Sequence, residues 1–60
     1  MKSALKALRD LYSRIEMRAE LAYDDAQRAD DTRSYTFYMG EYEGYAKVLD
    51  IIDEEMMKVK

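Results

Sequence analysis

The 60-residue chain has no cysteine, histidine, proline or tryptophan, and its only glycines are Gly40 and Gly44. Without cysteine it can form neither a disulfide nor a thiolate zinc site, and without histidine it lacks the most versatile acid–base catalyst. Because proline is absent and glycine is rare, helices can extend over most of the chain. The composition therefore predicts an all-α protein that is not an enzyme and binds no cofactor or metal.

Sixty residues form one small domain, which buries only about 60% of the surface of its unfolded chain. Since disulfides and metals are excluded, oligomerisation is the remaining way to add stability. The net charge is −3, with 38% charged and 48% hydrophobic residues, a balance that argues against disorder. No apolar run approaches the length of a membrane span and the N-terminus lacks a signal core. We therefore expect a soluble, cytoplasmic protein without a membrane partner.

Two stretches carry apolar residues at alternating steps of three and four, which is typical of helices that pack along one face. The first begins with large residues and ends in four alanines, whereas the second begins with four tyrosines and ends in aliphatic residues. They comprise Met1, Leu5, Leu8, Tyr12, Ile15, Ala19, Ala22, Ala26 and Ala29, and then Tyr35, Tyr38, Tyr42, Tyr45, Leu49, Ile52, Met56 and Val59. We predict helices over residues 3–29 and 35–59.

The two patterns cannot belong to one straight helix, because the register slips by two residues between Ala29 and Tyr35. Two residues turn a helix by about 200° and would place the two apolar faces on opposite sides. The intervening segment 30–34 also supplies side chains that cap helices, namely those of Asp31, Thr32 and Ser34. We predict a turn over residues 30–34, with one of these three as the N-cap, in a single domain spanning residues 1–60.

Folding back at this turn pairs residues whose numbers sum to 64, so that Ala26 meets Tyr38 and Ala22 meets Tyr42. Each alanine faces a ring, and large aliphatic residues face each other away from the turn, which is the volume matching that a packed interface requires. The predicted fold is an antiparallel, coiled-coil-like two-helix hairpin. Its core consists of Leu5, Leu8, Tyr12, Ile15, Ala19, Ala22, Ala26, Ala29, Tyr35, Tyr38, Tyr42, Tyr45, Leu49, Ile52, Met56 and Val59.

The hairpin leaves a second set of apolar residues along one side, and a surface of that size usually marks an interface. Two glycines lie on the outward part of the second helix, where a neighbouring backbone could approach closely. The predicted interface residues are Leu11, Leu21, Phe37, Gly40, Gly44, Val48 and Ile51. A second copy bound there would complete a four-helix bundle. The alternatives are a different partner protein, a higher oligomer, or glycines with no interface role.

The residue pattern argues against a cation site and against nucleic-acid binding. Asp50 and Glu54 could chelate a hard cation, but without a calcium-binding loop we interpret the carboxylates of the second helix as a solvated acidic face. The basic residues of the first helix alternate with acidic ones, which disfavours nucleic-acid binding. A nucleic-acid accessory factor and a structural assembly subunit remain the alternative functions.

One segment of the second helix resembles a known group of proteins: Tyr38-Met39-Gly40-Glu41-Tyr42-Glu43-Gly44-Tyr45-Ala46-Lys47-Val48-Leu49-Asp50-Ile51-Ile52. It is similar to the second helix of small uncharacterised helical-hairpin proteins of bacteriophages and bacterial mobile elements. The resemblance implies a bacterial or phage-infected cell, where proteins of this size often bind and modulate a host protein such as a defence enzyme. We therefore expect a small homodimeric interaction module whose second partner is a larger protein.

Overall fold

The computed structural model describes the backbone of residues 2–59 and the side chains of residues 4–59. This part of the chain contains two α-helices, α1 (Lys2–Arg28) and α2 (Thr32–Lys58), and no strand. The helices pack against each other along their length as a hairpin, so the prediction of an all-α fold is confirmed. Met1, which begins the first apolar pattern, lies outside the described residues.

The connection between the helices consists of residues 29–31 and is shorter than the predicted turn. At the end of α1 the backbone N–H of Ala29 donates to the carbonyl of Ala26 at 3.2 Å, which tightens the last turn. Asp31 then adopts an extended backbone, with φ −132° and ψ 160°. This extended residue separates the two helical segments and reverses the direction of the chain.

Asp31 is the N-cap of α2. Its Oδ1 accepts a hydrogen bond from the backbone N–H of Ser34 at 2.7 Å, and its carbonyl accepts from Tyr35 N–H at 3.1 Å. These bonds satisfy one of the otherwise unpaired N–H groups at the helix start and begin the helical ladder. Because the cap is Asp31, residues 32–34 form the first turn of α2, and the expected start at residue 35 is three residues too late.

Alanines dominate the buried core of the hairpin. Ala26 is only 1% exposed, and Ala19 and Ala22 are buried with it, while Ile52 is the one large buried hydrophobic residue among those described. Small side chains on α1 allow the backbones to approach, and the tyrosine rings of α2 fill the space beside them. The other predicted core residues that are half-buried are Leu5, Leu8, Tyr12, Ile15, Ala29, Tyr38, Tyr42, Tyr45, Leu49, Met56 and Val59.

Tyr35 does not join this core, and its assignment there is wrong. The side chain is 44% exposed. Tyr35 directly follows the first turn of α2 and is level with the connection, and α1 has already ended at Arg28. Because no further turn of α1 continues beside it, the ring is covered on one side only.

The hairpin is a single layer of two helices, with principal extents of 47 × 14 × 9 Å. Its radius of gyration is 14.0 Å, whereas a compact chain of this length would have about 10 Å. Its accessible surface is 5062 Å², against about 4,100 Å² for a compact monomer of the same mass. A single hairpin therefore leaves an unusual share of its apolar side chains partly exposed.

The alanine core predicts the effect of overfilling one layer. Ala22→Tyr would place a second ring beside Tyr42, and we expect it to destabilise the hairpin by about 1–3 kcal/mol. Ser13→Tyr, at an exposed position of the same helix, is the matched control and should change stability little. Urea unfolding followed by circular dichroism at equal protein concentrations checks both variants. Equal stability of the two would contradict the proposed packing.

The N-cap predicts a specific dependence on pH. Hydrogen bonding to the backbone N–H of Ser34 is the main cause that lowers the pKa of Asp31 from its ordinary value of 3.8. A carboxylate with a lowered folded-state pKa contributes stability above its unfolded-state pKa, and that contribution is lost as the pH falls through the folded-state pKa. The cap should therefore weaken below about pH 3.8.

The test compares Asp31→Asn, which keeps an acceptor oxygen but cannot titrate, with Asp30→Asn at the neighbouring turn position. We expect the melting temperature of Asp31→Asn to fall less between pH 5 and pH 2 than that of the wild type, and Asp30→Asn to resemble the wild type. Parallel curves for all three proteins would show that the cap does not titrate as described.

Candidate interaction surface

Exposed apolar side chains are concentrated on one long side of the hairpin. On α2, Phe37, Gly44 and Ile51 are seven residues apart and therefore lie in one row, because seven residues make about two helical turns. Val48 occupies the adjacent row. On α1, Leu11 and Leu21 occupy the two matching rows. We call this surface the apolar flank and define it by Leu11, Leu21, Phe37, Gly44, Val48 and Ile51.

A groove between the helices shows that these rows share one side of the molecule. Arg18, Leu21 and Asp25 of α1 border it together with Glu41 of α2, and its floor is formed by Ala22 and Tyr45. Leu21 and Glu41 belong to the rows just described, so both helices contribute to the same surface. The edges of the groove are charged except at Leu21.

The large residues of the apolar flank are poorly covered by the hairpin itself. Leu21 is 63% exposed and Phe37 is 61% exposed, and Leu11, Val48 and Ile51 are also exposed. The ring of Phe37 contacts that of Tyr38 edge-on, with centroids 5.3 Å apart and an angle of 73°. This contact orients Phe37 but leaves most of its surface in water. Transferring such side chains out of water is worth roughly 1.5–3 kcal/mol each.

Both glycines lie over open space. A methyl group added at Gly40 or Gly44 would meet no heavy atom within 4 Å, and neither residue has a positive φ. Nothing inside the hairpin therefore requires glycine at these positions, although each costs up to about 1 kcal/mol relative to alanine in a helix. Gly44 lies within the apolar flank, whereas Gly40 lies on the outward side of α2. The groove between the helices lies beside the core, between Leu21 and Glu41, and neither glycine lines it.

Charged residues border the apolar flank without being paired inside the hairpin. The ion pairs among the described residues are Lys6–Asp10 and Asp24–Arg28, both at 3.2 Å, and Glu55–Lys58 at 3.1 Å. All three are exposed pairs within one helix and contribute little. Arg14, Arg18 and Glu41 form none of them. Sequence reasoning missed Arg14 and Arg18 at this surface, although their spacing of seven from Leu21 and Leu11 places them in the same rows.

The opposite side of the hairpin is more polar but carries an aromatic contact. Tyr23 of α1 packs on Tyr42 of α2 with ring centroids 5.4 Å apart and an interplanar angle of 53°. This contact closes the edge of the core on that side, while Tyr23 stays partly exposed. Met17 and Met57 are also exposed and lie outside the apolar flank. Neither methionine belongs to the apolar rows that the sequence predicts.

The carboxylates of α2 do not converge. Within the described residues, no group of three or more histidine, cysteine, aspartate or glutamate side chains could hold a metal ion. Asp50 and Glu54 lie on the exposed surface of α2.

Comparison with known proteins identifies no relative of this chain. No protein-family model matches the chain, and neither a curated protein nor a solved structure gives a significant match. A search of the described residues for a membrane span found no helix of sufficient length and apolarity.

The same substitution at the two glycines should affect association differently. Gly40→Leu and Gly44→Leu should each stabilise α2 by roughly 0.5–1 kcal/mol, because leucine favours the helix and meets open space. If the apolar flank is an interface, only Gly44→Leu should also weaken association. Unfolding at low protein concentration measures the first effect and sedimentation equilibrium the second. If Gly44→Leu has the same dissociation constant as the wild type, Gly44 does not lie in the interface.

Proposed function

We propose that the protein is a small helical interaction module. Two hairpins pair through their apolar flanks to form a four-helix bundle, and the bundle acts by binding the surface of a larger protein. The observation that carries this proposal is the apolar flank on a one-layer fold, where five large hydrophobic side chains are exposed along one side. Surfaces of this kind on small proteins usually mark binding sites.

The size of the hairpin supports pairing as the first step. The accessible surface exceeds that of a compact monomer of the same mass by about 1,000 Å². A standard interface buries about 800 Å² on each partner, so the excess is as large as a stable interface requires. Two layers of helices would also enclose side chains on the flank side of the core that one hairpin leaves half-buried, including Ile15 and Tyr45.

Apolar residues outside the flank supply contacts for a larger partner. Tyr23 and Met57 are exposed and lie off the apolar flank, so they stay on the surface of a bundle built through it, whereas Met17 lies at the border of the flank beside Leu21. Aromatic and methionine side chains are enriched in protein interfaces. The similarity of residues 38–52 to helical-hairpin proteins of phages and mobile elements favours a bacterial host protein, including a defence enzyme, as the target.

Leu21→Glu tests the role of the apolar flank. The new carboxylate would lie in the interface once per copy, and we expect the dissociation constant of the homodimer to rise at least about tenfold. Gln27→Glu, on the opposite side of the same helix, introduces the same residue with the same charge change and should leave association unchanged. Sedimentation equilibrium measures both variants. Equal dissociation constants would show that the flank does not mediate pairing.

Affinity capture from a bacterial lysate tests the target. The tagged wild-type protein should retain a specific host protein at physiological salt, and a double variant carrying serine at Tyr23 and Met57 should lose it while remaining dimeric and helical by circular dichroism. Retention of nucleic acid alone, with a steep dependence on salt, would replace the proposal with a nucleic-acid accessory factor. Large homo-oligomers in light scattering would instead identify a structural assembly subunit.

A further inference from the structure

We infer that folding and pairing of the hairpins are coupled, so that a hairpin separated from its second copy is only marginally folded. This inference rests on the proposed homodimer and goes beyond it, because two hairpins could also pair as stable, preformed units. With coupling, the smallest stably folded unit is the four-helix bundle. The folded state then depends on the concentration of the protein.

A single hairpin hides too little of its surface to be stable. The unfolded chain of 7.1 kDa would expose about 10,300 Å², and the hairpin still exposes 5062 Å². It therefore buries about half of its surface, whereas a chain of this length typically buries about 60% and is already marginal. Burial of apolar surface is the main contribution that offsets the lost entropy of the chain. The shortfall thus reduces the largest stabilising contribution.

The side chains that are fully buried are also small. Among the described residues, the buried hydrophobic side chains are those of Ala19, Ala22, Ala26 and Ile52. Each alanine contributes a single methyl group, so Ile52 alone adds a large side chain to this set. The larger core residues, such as Leu8 and Leu49, are only half-buried. They therefore gain only part of the free energy that full burial would supply.

Polar contacts do not join the two helices to each other in the described part of the chain. Every side-chain hydrogen bond and ion pair found there links residues three or four positions apart. Apart from the covalent connection, α1 and α2 are thus held together by apolar contact. Most helical stability in proteins comes from packing of an amphipathic face, so both helices depend on these limited contacts.

A second copy on the apolar flank would supply the missing burial. A standard interface covers about 800 Å² on each partner, which would raise the buried share of each chain from about half to about 59%. That share is close to the value expected for a chain of this length. The area that pairing removes from water is therefore the area that the separated hairpin lacks.

Coupling gives the protein a threshold concentration for binding its target. The ring of Tyr23 is held against Tyr42 of the other helix, so this part of the proposed target surface exists only while the hairpin is folded. Below the dissociation constant of the dimer, the chain would lose that surface. Its backbone would also become open to proteases, because locally or globally unfolded segments are their substrates.

Dilution of the wild-type protein tests the coupling directly. Sedimentation gives the fraction of dimer, and circular dichroism in a long-path cell gives the helical signal over the same concentrations. We expect the helical signal to fall together with the fraction of dimer, to less than about half of the dimer's signal at a concentration tenfold below the dissociation constant. A helical signal that stays constant while the dimer dissociates would overturn the coupling.

Gly40→Leu tests the coupling from outside the interface. Gly40 lies off the apolar flank and over open space, so leucine there stabilises α2 without touching the second copy. With coupling, this gain acts in both copies, and we expect the dissociation constant to fall at least about twofold. Lys47→Arg, at an exposed position of α2, keeps the charge and the helix preference and should change nothing. Equal dissociation constants for Gly40→Leu and the wild type would show that the hairpins fold before they pair.

The helical signal of Leu21→Glu separates this inference from the proposal it depends on. Leu21 is exposed in the hairpin and glutamate is a good helix former, so a hairpin that is stable by itself would keep its helices. With coupling, the variant should lose helical signal at a concentration where the wild type and Gln27→Glu are dimeric, and regain it at higher concentration. A fully helical, monomeric Leu21→Glu variant would overturn the coupling and leave the homodimer intact. A wild-type chain that is a fully helical monomer at every concentration would overturn both.

Discussion

The packing of alanines against tyrosine rings is the contact on which the rest of this structure depends. Ala19, Ala22 and Ala26 are buried because their small side chains let α2 approach α1 closely, and the rings beside them fill the remaining volume. Leucines at these positions would hold the helices apart and leave no room for the tyrosines. Because the two helices form a single closely packed layer, no other part of the hairpin covers the apolar flank.

The two ends of the hairpin differ in the residues that form the core. Near the turn the core is made of alanine and tyrosine, whereas the other end relies mainly on aliphatic residues, and among those the structure describes only Ile52 is buried. A single layer cannot enclose larger side chains on all sides, because each helix has a neighbour on one side only. A second layer of helices on the apolar flank would give each helix another neighbour. The stability of the hairpin would then depend on its association with a second copy.

Much of this architecture could be predicted from the sequence because the helical repeat is regular. The steps of three and four define one face on each segment, and the slip of two residues between Ala29 and Tyr35 locates the reversal. The start of α2 was less predictable, since Asp31, Thr32 and Ser34 can all act as caps. The choice among them depends on which residue adopts the extended backbone at the point of reversal. The exposure of Tyr35 depends on the same choice and on where α1 ends.

The candidate surface was also only partly evident from sequence. Leu11, Leu21, Phe37, Val48 and Ile51 are identified by subtracting the core positions from the apolar residues. Arg18 and Glu41 are not, because charged residues occur all around both helices and their importance depends on the groove between them. The tilted contact between Tyr23 and Tyr42 likewise joins residues from different helices. Neither feature exists until the helices are placed side by side.

By itself, the sequence determined that this protein is helical, that it folds back once, and, except at Tyr35, which residues of each helix face the other. These properties follow from local periodicity, backbone preference and side-chain volume, which act within one helix or across one interface. The tertiary structure decided which side chain caps α2, how far the core is covered, and which charges lie beside the exposed apolar residues. Those properties depend on distances between the two helices, and such distances are set only when the alanines and the rings pack.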